Sequence, residues 1–307
     1  MATILEKDEF VRINDPALII LRVAALGDIV ASEPVLRYLR KEYLPCKIIW
    51  MIRKEFSEVL IAHPFLDYIL FVDNIEEATL LANVLVEKGN GKVISLYFSK
   101  VFCVDTKNYI VNNNDPSVSI KTYYFYGSLL EAYTIAARLP RLTDAPMFFL
   151  DQNVHVPELP DNFVIFHCLS RDTARNWDPV KWKKLLYFFI SNNIDVVEIG
   201  FTPVIKSKNP KYHDYTDIRS LQVLAHIIAK TSFFVGIDSG FAHIANALCV
   251  NGVIIMGKFG PFTEHVPYTG YYAHDHIVRR YDAKAFEVSV EAVIDYYTTH
   301  GKPDLSV

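Results

Sequence analysis

The stretch from Phe233 to Leu248 constrains the fold of this chain more than any other. Phe233-Phe234-Val235-Gly236 is apolar, aromatic and β-branched, the composition of a buried strand. Asp238-Ser239-Gly240 supplies turn and N-cap chemistry. Phe241, Ile244, Ala245 and Leu248 then recur at helical spacing. A strand, a tight turn and a helix in that order present free backbone N–H groups and a positive dipole end, an arrangement that holds phosphate. Asp238 and His243 flank the expected anion site, where they would bond sugar hydroxyls or counter the phosphate charge. The same pattern also serves as a plain connection in many α/β proteins, so the rest of the chain has to decide.

Length allows two domains of ordinary size among 307 residues, and a 51% hydrophobic content supplies a core for each. The formal net charge of −4, without a long basic run, argues against a nucleic-acid binder. Cys46, Cys103, Cys168 and Cys249 lie far apart, with no Cys-x-x-Cys pair and no Cys/His cluster. That spacing implies neither a zinc site nor a disulfide framework. Met1 to Pro16 carries charges throughout and lacks the apolar core of a signal peptide, and no apolar run reaches membrane-spanning length. A cytoplasmic location is expected.

Apolar runs alternate with helical periodicity along the chain. Strands are expected at 17–23, 46–52, 68–72 and 93–97, with helices at 29–43, 55–62 and 76–87 between them, as in βαβ units of a parallel sheet. Residues 98–122 are polar and irregular and read as a surface excursion. A helix at 123–138 precedes the prolines Pro140, Pro146, Pro157 and Pro160, which punctuate a linker. The alternation restarts with strands at 163–167, 195–199, 233–236 and 253–256 and helices at 180–191, 220–230 and 288–298. The expected architecture is a pair of doubly wound α/β domains, 1–150 and 160–307, joined by 151–159. In such sheets ligands bind beyond the carboxyl ends of the strands.

Three loops after strands therefore carry the candidate chemistry. Leu26-Gly27-Asp28 places a carboxylate suited to general-base work at the first of them, or simply a helix cap. The second, from His167 to Pro179, offers the hydroxyl of Ser170 and the cations Arg171 and Arg175 near a helix start, a set suited to a pyrophosphate. Arg171 reads as solvated. The third is the Asp238-Ser239-Gly240 turn.

These segments together resemble glycosyltransferase family 9, the ADP-heptose:lipopolysaccharide heptosyltransferases. Leu21-Arg22 through Leu26-Gly27-Asp28 to Glu33-Pro34-Val35-Leu36-Arg37 is similar to the family's opening strand, Gly-Asp loop and first helix. Arg175-Asn176-Trp177-Asp178-Pro179 resembles its basic-x-Trp-Pro segment, and Val235 to His243 with Phe259-Gly260-Pro261 its donor signature. The resemblance implies a GT-B fold, two Rossmann-like domains facing across a cleft. It puts a glycan or glycolipid acceptor on the first and a nucleoside-diphosphate sugar, ADP-heptose first among them, on the second. It also implies inverting transfer without metal or cofactor, Asp28 as general base, Ser170, Arg175 and the amides of Ser239 and Gly240 on the diphosphate, and Asp238 on the donor sugar. Lipopolysaccharide synthesis would bring the protein to the periphery of the inner membrane.

Two departures stand out. Gly200-Phe201-Thr202-Pro203 lacks the acidic residue with which the family reaches the ribose. Ser95-Leu96-Tyr97-Phe98 stands where an Asp-Leu-Gln-type segment is usual. A catalytically silent sugar-nucleotide-binding relative and a non-hydrolysing epimerase of the GT-B type are the alternative readings.

Overall fold

The computed structural model describes residues 1–301 and divides into two compact units. The first comprises Met1–Asp151 with Val266–Gly270; the second comprises Gln152–His265 and the residues from Tyr271 on.

In the first unit the elements run β1 (Thr3–Leu5), α1 (Lys7–Phe10), β2 (Ala17–Leu21), α2 (Leu26–Ala31), α3 (Glu33–Glu42), β3 (Lys47–Ile52), β4 (Tyr68–Phe71), α4 (Ile75–Glu87), β5 (Gly91–Ser95), β6 (Lys100–Cys103), β7 (Asn108–Val111) and α5 (Leu129–Ala136). Among the described residues one parallel sheet has the order β1-β4-β3-β2-β5. Every residue of β2 is buried, as a strand covered by helices on both faces requires. The chain winds outward from β2 through β3 and β4, then returns to the other side of β2 as β5. The order reverses between β2 and β5, and a crevice opens at such a point.

The second unit runs β8 (Phe163–His167), α6 (Pro179–Ser191), β9 (Asp195–Ile199), β10 (Tyr212–Asp214), α7 (Leu221–Lys230), β11 (Phe233–Ile237), α8 (Gly240–Ala247), β12 (Gly252–Met256), β13 (Ile277–Arg279) and α9 (Val290–His300). Its sheet, again parallel, has the order β10-β9-β8-β11-β12-β13. This is the doubly wound dinucleotide-fold order, reversing between β8 and β11. The core packs Phe166, Trp182 and Phe189 beneath β8 and β11, with Trp177 edge-on to Trp182 at a centroid distance of 5.0 Å.

Several local expectations change. The helix expected at 29–43 is two helices, because Pro34 sits in the first turn of α3 and cannot donate a backbone bond to the preceding turn. Ser32 fills the junction by donating its hydroxyl to the Asp28 carbonyl at 2.7 Å. Within 98–122, β6 and β7 form an antiparallel hairpin rather than a bare surface excursion. Its inner side packs Val101, Cys103 and Ile110 against the first core. The helix expected at 123–138 starts only at Leu129; Tyr123–Tyr126 is a 3-10 turn that ends at Gly127.

The loop after β12 starts with close backbone contacts. A Cβ on Gly257 would lie 2.2 Å from the Ala285 amide nitrogen and 2.4 Å from the Lys284 carbonyl carbon. Lys258 donates its N–H to Ala283 there at 2.7 Å. Gly257→Ala is therefore expected to lower stability by about 1–3 kcal/mol, the usual cost of overpacking. Gly260→Ala, with open space around its Cβ but φ +54°, is the comparison. It should cost about 1 kcal/mol, from the left-handed backbone only. Thermal denaturation of the two variants checks this, and an unchanged melting temperature for Gly257→Ala would contradict the packing.

Candidate functional site

The carboxyl ends of β2 and β5 gather the first group. Leu26 and Gly27 are already helical, so Asp28 stands in the first turn of α2, where the dipole favours a carboxylate. Its Oδ1 accepts from the Tyr133 hydroxyl at 2.7 Å, and its Oδ2 accepts from the Ala25 amide at 3.3 Å. Arg22, one residue beyond β2, closes the group with Nη2 at 2.5 Å from Asp28 Oδ2. The same guanidinium donates to the Leu96 carbonyl at 2.8 Å and to the Tyr133 oxygen at 2.9 Å. It lies 4.6 Å from the ring centre of Tyr97 and 4.3 Å from that of Tyr133. Burial alone would raise the Asp28 carboxyl, but the Arg22 charge, the Tyr133 hydroxyl and the Ala25 amide outweigh it and hold the group below its usual range. The Arg22 side chain is 6% exposed and that of Asp28 is 27% exposed.

The carboxyl ends of β8 and β11 gather the second group. Ser239 caps α8, its Oγ accepting from the Ala242 amide at 3.4 Å and lying 3.0 Å from His167 Nδ1. Burial pushes the His167 pKa down to about 3, so the ring is neutral near pH 7 and its Nδ1 shares a hydrogen bond with the Ser239 hydroxyl. That bond ties β8 to β11 across the reversal. Gly240 is the first residue of α8, and His243 is buried in the same helix.

Arg175 ends a 3-10 turn at 173–175 and pairs through Nη1 with Asp238 Oδ2 at 2.9 Å. Asp172 Oδ2 lies 3.5 Å from its Nε, and the Phe259 ring centre lies 4.7 Å from the guanidinium. The Arg175 side chain is 29% exposed and that of Asp238 only 7%. Trp177 fixes the segment by donating from its ring to the Val288 carbonyl at 2.8 Å. Ser170 faces its own loop, its Oγ accepting from the Asp172 amide at 3.2 Å while Asn176 receives its N–H at 2.7 Å. Arg171 is exposed.

Arg175 and Asp238 line a pocket together with Met256, Lys258, Phe259 and His265. Sequence reasoning did not single out Lys258 or His265; their position after β12, at the carboxyl edge of the same sheet, is the signal that would have found them. Burial, with the charges of Arg279 and Arg175 against that of Asp238, drops the His265 pKa to about 4 and leaves it neutral near pH 7. Arg22, Tyr97 and Tyr133 were also unforeseen, because their meeting depends on β5 returning beside β2.

The loop after β9 lacks a carboxylate of its own. Glu198 instead turns into it, accepting from the amides of Val204 at 2.7 Å and Ile205 at 3.1 Å and from the Tyr212 hydroxyl at 2.7 Å. Phe201 stands 54% exposed on this loop, with the Arg219 guanidinium 5.6 Å from its ring centre. Among the described residues no group of three or more His, Cys, Asp or Glu side chains is placed to hold a metal ion. No helix among them is long and apolar enough to cross a membrane.

Comparison with known proteins places this geometry. The fold is similar to that of the glycosyl transferase family 9 protein from Veillonella parvula DSM 2008, with a TM-score of 0.67 and 16% identity over 92% of this chain and 96% of that one. The E. coli ADP-heptose lps heptosyltransferase II gives 0.67 and 16%, over 92% and 98% of the two chains. E. coli heptosyltransferase WaaC with ADP gives 0.61 and 13%, over 92% and 97%. The two Rossmann-like sheets are thus of the GT-B class. No curated protein matches in sequence. The family model described as glycosyltransferase family 9 (heptosyltransferase) matches residues 149–279. The matched segment includes Ser170, Arg175 and the Asp238-Ser239-Gly240 turn.

Proposed function

We propose that this glycosyltransferase moves heptose from ADP-heptose to a hydroxyl of a glycan or lipopolysaccharide-type acceptor, with inversion and without a metal ion. The second unit takes the donor and the first the acceptor, so that 1–150 and 160–307 act as acceptor and donor domains.

The observation that carries this reading is the opposite exposure of two ion pairs. Each sits at the carboxyl end of a sheet where the strand order reverses. In Arg22–Asp28 the cation is buried and the carboxylate is partly exposed. In Arg175–Asp238 the carboxylate is buried and the cation is partly exposed. An open carboxylate accepts a proton, and an open guanidinium accepts an anion. The first suits a general base acting on an acceptor hydroxyl, the second the diphosphate of a sugar nucleotide.

Arg175 would meet the growing charge of the leaving diphosphate, as would the amides of Ser239 and Gly240 and the start of α8. Lys258, on the same pocket, adds a second cation. Asp238 orients Arg175 and would contact the donor sugar. Ser170 would donate its hydroxyl to the diphosphate after a rotation within its loop. His243, buried in α8, would complete the donor site beside the turn. The structural relatives include a heptosyltransferase crystallised with ADP, which fits a donor of this class. On this reading the protein would act in the cytoplasm, at the periphery of the inner membrane.

ADP-heptose offered with a panel of lipopolysaccharide core oligosaccharides tests the reading. Release of ADP that depends on the oligosaccharide, with an inverted anomeric product by NMR and no loss in EDTA, is expected. Loss in EDTA with recovery in Mg²⁺ would contradict metal independence. Reversible isomerisation of the donor without any acceptor would favour the epimerase.

The pair at the donor site yields a second expectation. A charge-assisted bond to phosphate contributes roughly 1.5–3 kcal/mol, so Arg175→Ala should weaken ADP binding by about ten- to a hundred-fold. Asp238→Asn removes a negative charge that lies against the same guanidinium, so ADP should bind it at least as tightly as wild type. Calorimetry decides: equal affinities for wild type and Arg175→Ala would remove Arg175 from the diphosphate site.

A further inference from the structure

The Asp28 carboxylate is already engaged on both oxygens, by Tyr133 on one and by Arg22 and Ala25 on the other. We propose that Arg22 and Tyr133 are positioning residues that hold this carboxylate in one orientation and delay its uptake of the acceptor proton until the new glycosidic bond has largely formed. The proposal rests on the reading of Asp28 as the general base.

The geometry is that of a built clamp. Arg22 is buried, and no water shell sets its direction; its guanidinium is fixed between two tyrosine rings and by the Leu96 carbonyl. Tyr97 is fixed in turn, its hydroxyl accepting from the Val23 amide at 3.1 Å. Tyr133, on α5, accepts from Arg22 and donates to Asp28, so one hydroxyl links cation to carboxylate a second time. Charged groups on the other elements packed against α2 are paired with other partners or exposed: Glu131 of α5 pairs with Arg141 at 2.6 Å. Glu33 pairs with Arg37 and His63, each at 2.9 Å, and Arg53 lies 3.9 Å from Glu55. Lys54 and Glu55 are exposed and Glu58 is half-buried on the 3-10 turn Lys54–Val59. Arg22 is therefore the charge that dominates at the carboxylate.

The chemistry follows from that balance. A base works best when its pKa lies near the working pH, and a carboxylate clamped this way lies well below it. A free sugar hydroxyl would not surrender its proton to so weak a base. In glycosyl transfer the demand falls as the reaction advances. The acceptor oxygen gives a lone pair to the anomeric carbon while the bond from that carbon to the diphosphate breaks, and that electron pair leaves on the nucleoside diphosphate. The attacking oxygen becomes oxonium-like and strongly acidic, and its proton then passes to Asp28 and on to water. A weak base held in place suffices for that order of events, and it stays ionised through the whole working range.

The test follows the Asp28 carboxyl by carbon-13 NMR titration of the full chain without ligand. Wild type is compared with Arg22→Met, Arg22→Lys and Tyr133→Phe, and the pH profile of ADP release is measured in parallel. In Arg22→Met the Asp28 midpoint should rise by one pH unit or more, and the acid limb of kcat should rise with it while the donor KM is unchanged. Arg22→Lys should restore most of the shift. Tyr133→Phe, which deletes one hydroxyl and keeps the ring, should give a smaller rise and carries the test if Arg22→Met fails to fold. The wild-type solvent deuterium effect on the chemical step should be close to one. A midpoint common to wild type and these variants, or a large solvent effect, would overturn the clamp. Asp28→Asn separates the two readings: it should lower turnover by roughly 10²–10⁴-fold, and full turnover there would refute the base itself.

Discussion

Everything functional in this molecule depends on the reversal of strand order at the middle of each parallel sheet. A right-handed crossover carries the chain outward from β2 in the first unit and from β8 in the second. When it comes back to the other side, two adjacent strands send their following loops in opposite directions, and backbone and side chains of both loops meet. Arg22 after β2 reaches the Leu96 carbonyl after β5, and His167 at the end of β8 reaches Ser239 after β11. Both contacts are side-chain bonds across the reversal, and both fix the start of a helix, α2 or α8. Neither segment could present its carboxylate or its amides in a defined direction without the strand beside it.

The two sites differ in what is buried behind them. In the first unit the cation is enclosed, and the desolvation that this costs is offset by two aromatic faces, a carbonyl and a carboxylate. In the second the carboxylate of Asp238 is enclosed and Arg175 lies partly open against Phe259. One arrangement is thus repeated with the roles of the charges exchanged, and the proposed function assigns the first to proton uptake and the second to anion binding. This exchange is a property of burial, because the four residue types are the same two.

The strand-turn-helix at 233–248 was legible from sequence because its signals are local: an apolar run, a capping serine and helical spacing within sixteen residues. The same holds for β2, β8 and the capped start of α6, where Asp178 accepts from the Val180 amide at 2.7 Å. Pro34 was equally visible, and its consequence, the break between α2 and α3, follows from its missing N–H. What could not be read locally was anything set by strand order. β1 is three residues long and earns its place only by pairing with β4. Tyr97 and Tyr133 are 36 positions apart and meet only around Arg22. Ser170 and Arg175, grouped by sequence as two diphosphate ligands, face differently because the Asp172 amide bonds the Ser170 hydroxyl back into its loop while Asn176 accepts the Ser170 N–H.

The titrating groups at the two sites also set the acid side of stability in a definite order. His167 and His265 have pKa values of about 3 and about 4 in the fold, against 6.5 when exposed. Both are neutral in the folded chain and charge first in the unfolded one. Stability from them is complete above about pH 6.5 and falls as the pH drops from there, at about 1.4 kcal/mol per pH unit for each proton taken up. Asp28 is also depressed, so its contribution is complete above the ordinary carboxylate range and is lost only as the pH falls through its own, lower value. On an acid titration the histidines therefore begin to weaken the second unit while the Arg22–Asp28 pair of the first is still whole. Asp28 keeps its charge over a wider range of pH than the Asp238-Ser239-Gly240 turn keeps its stability.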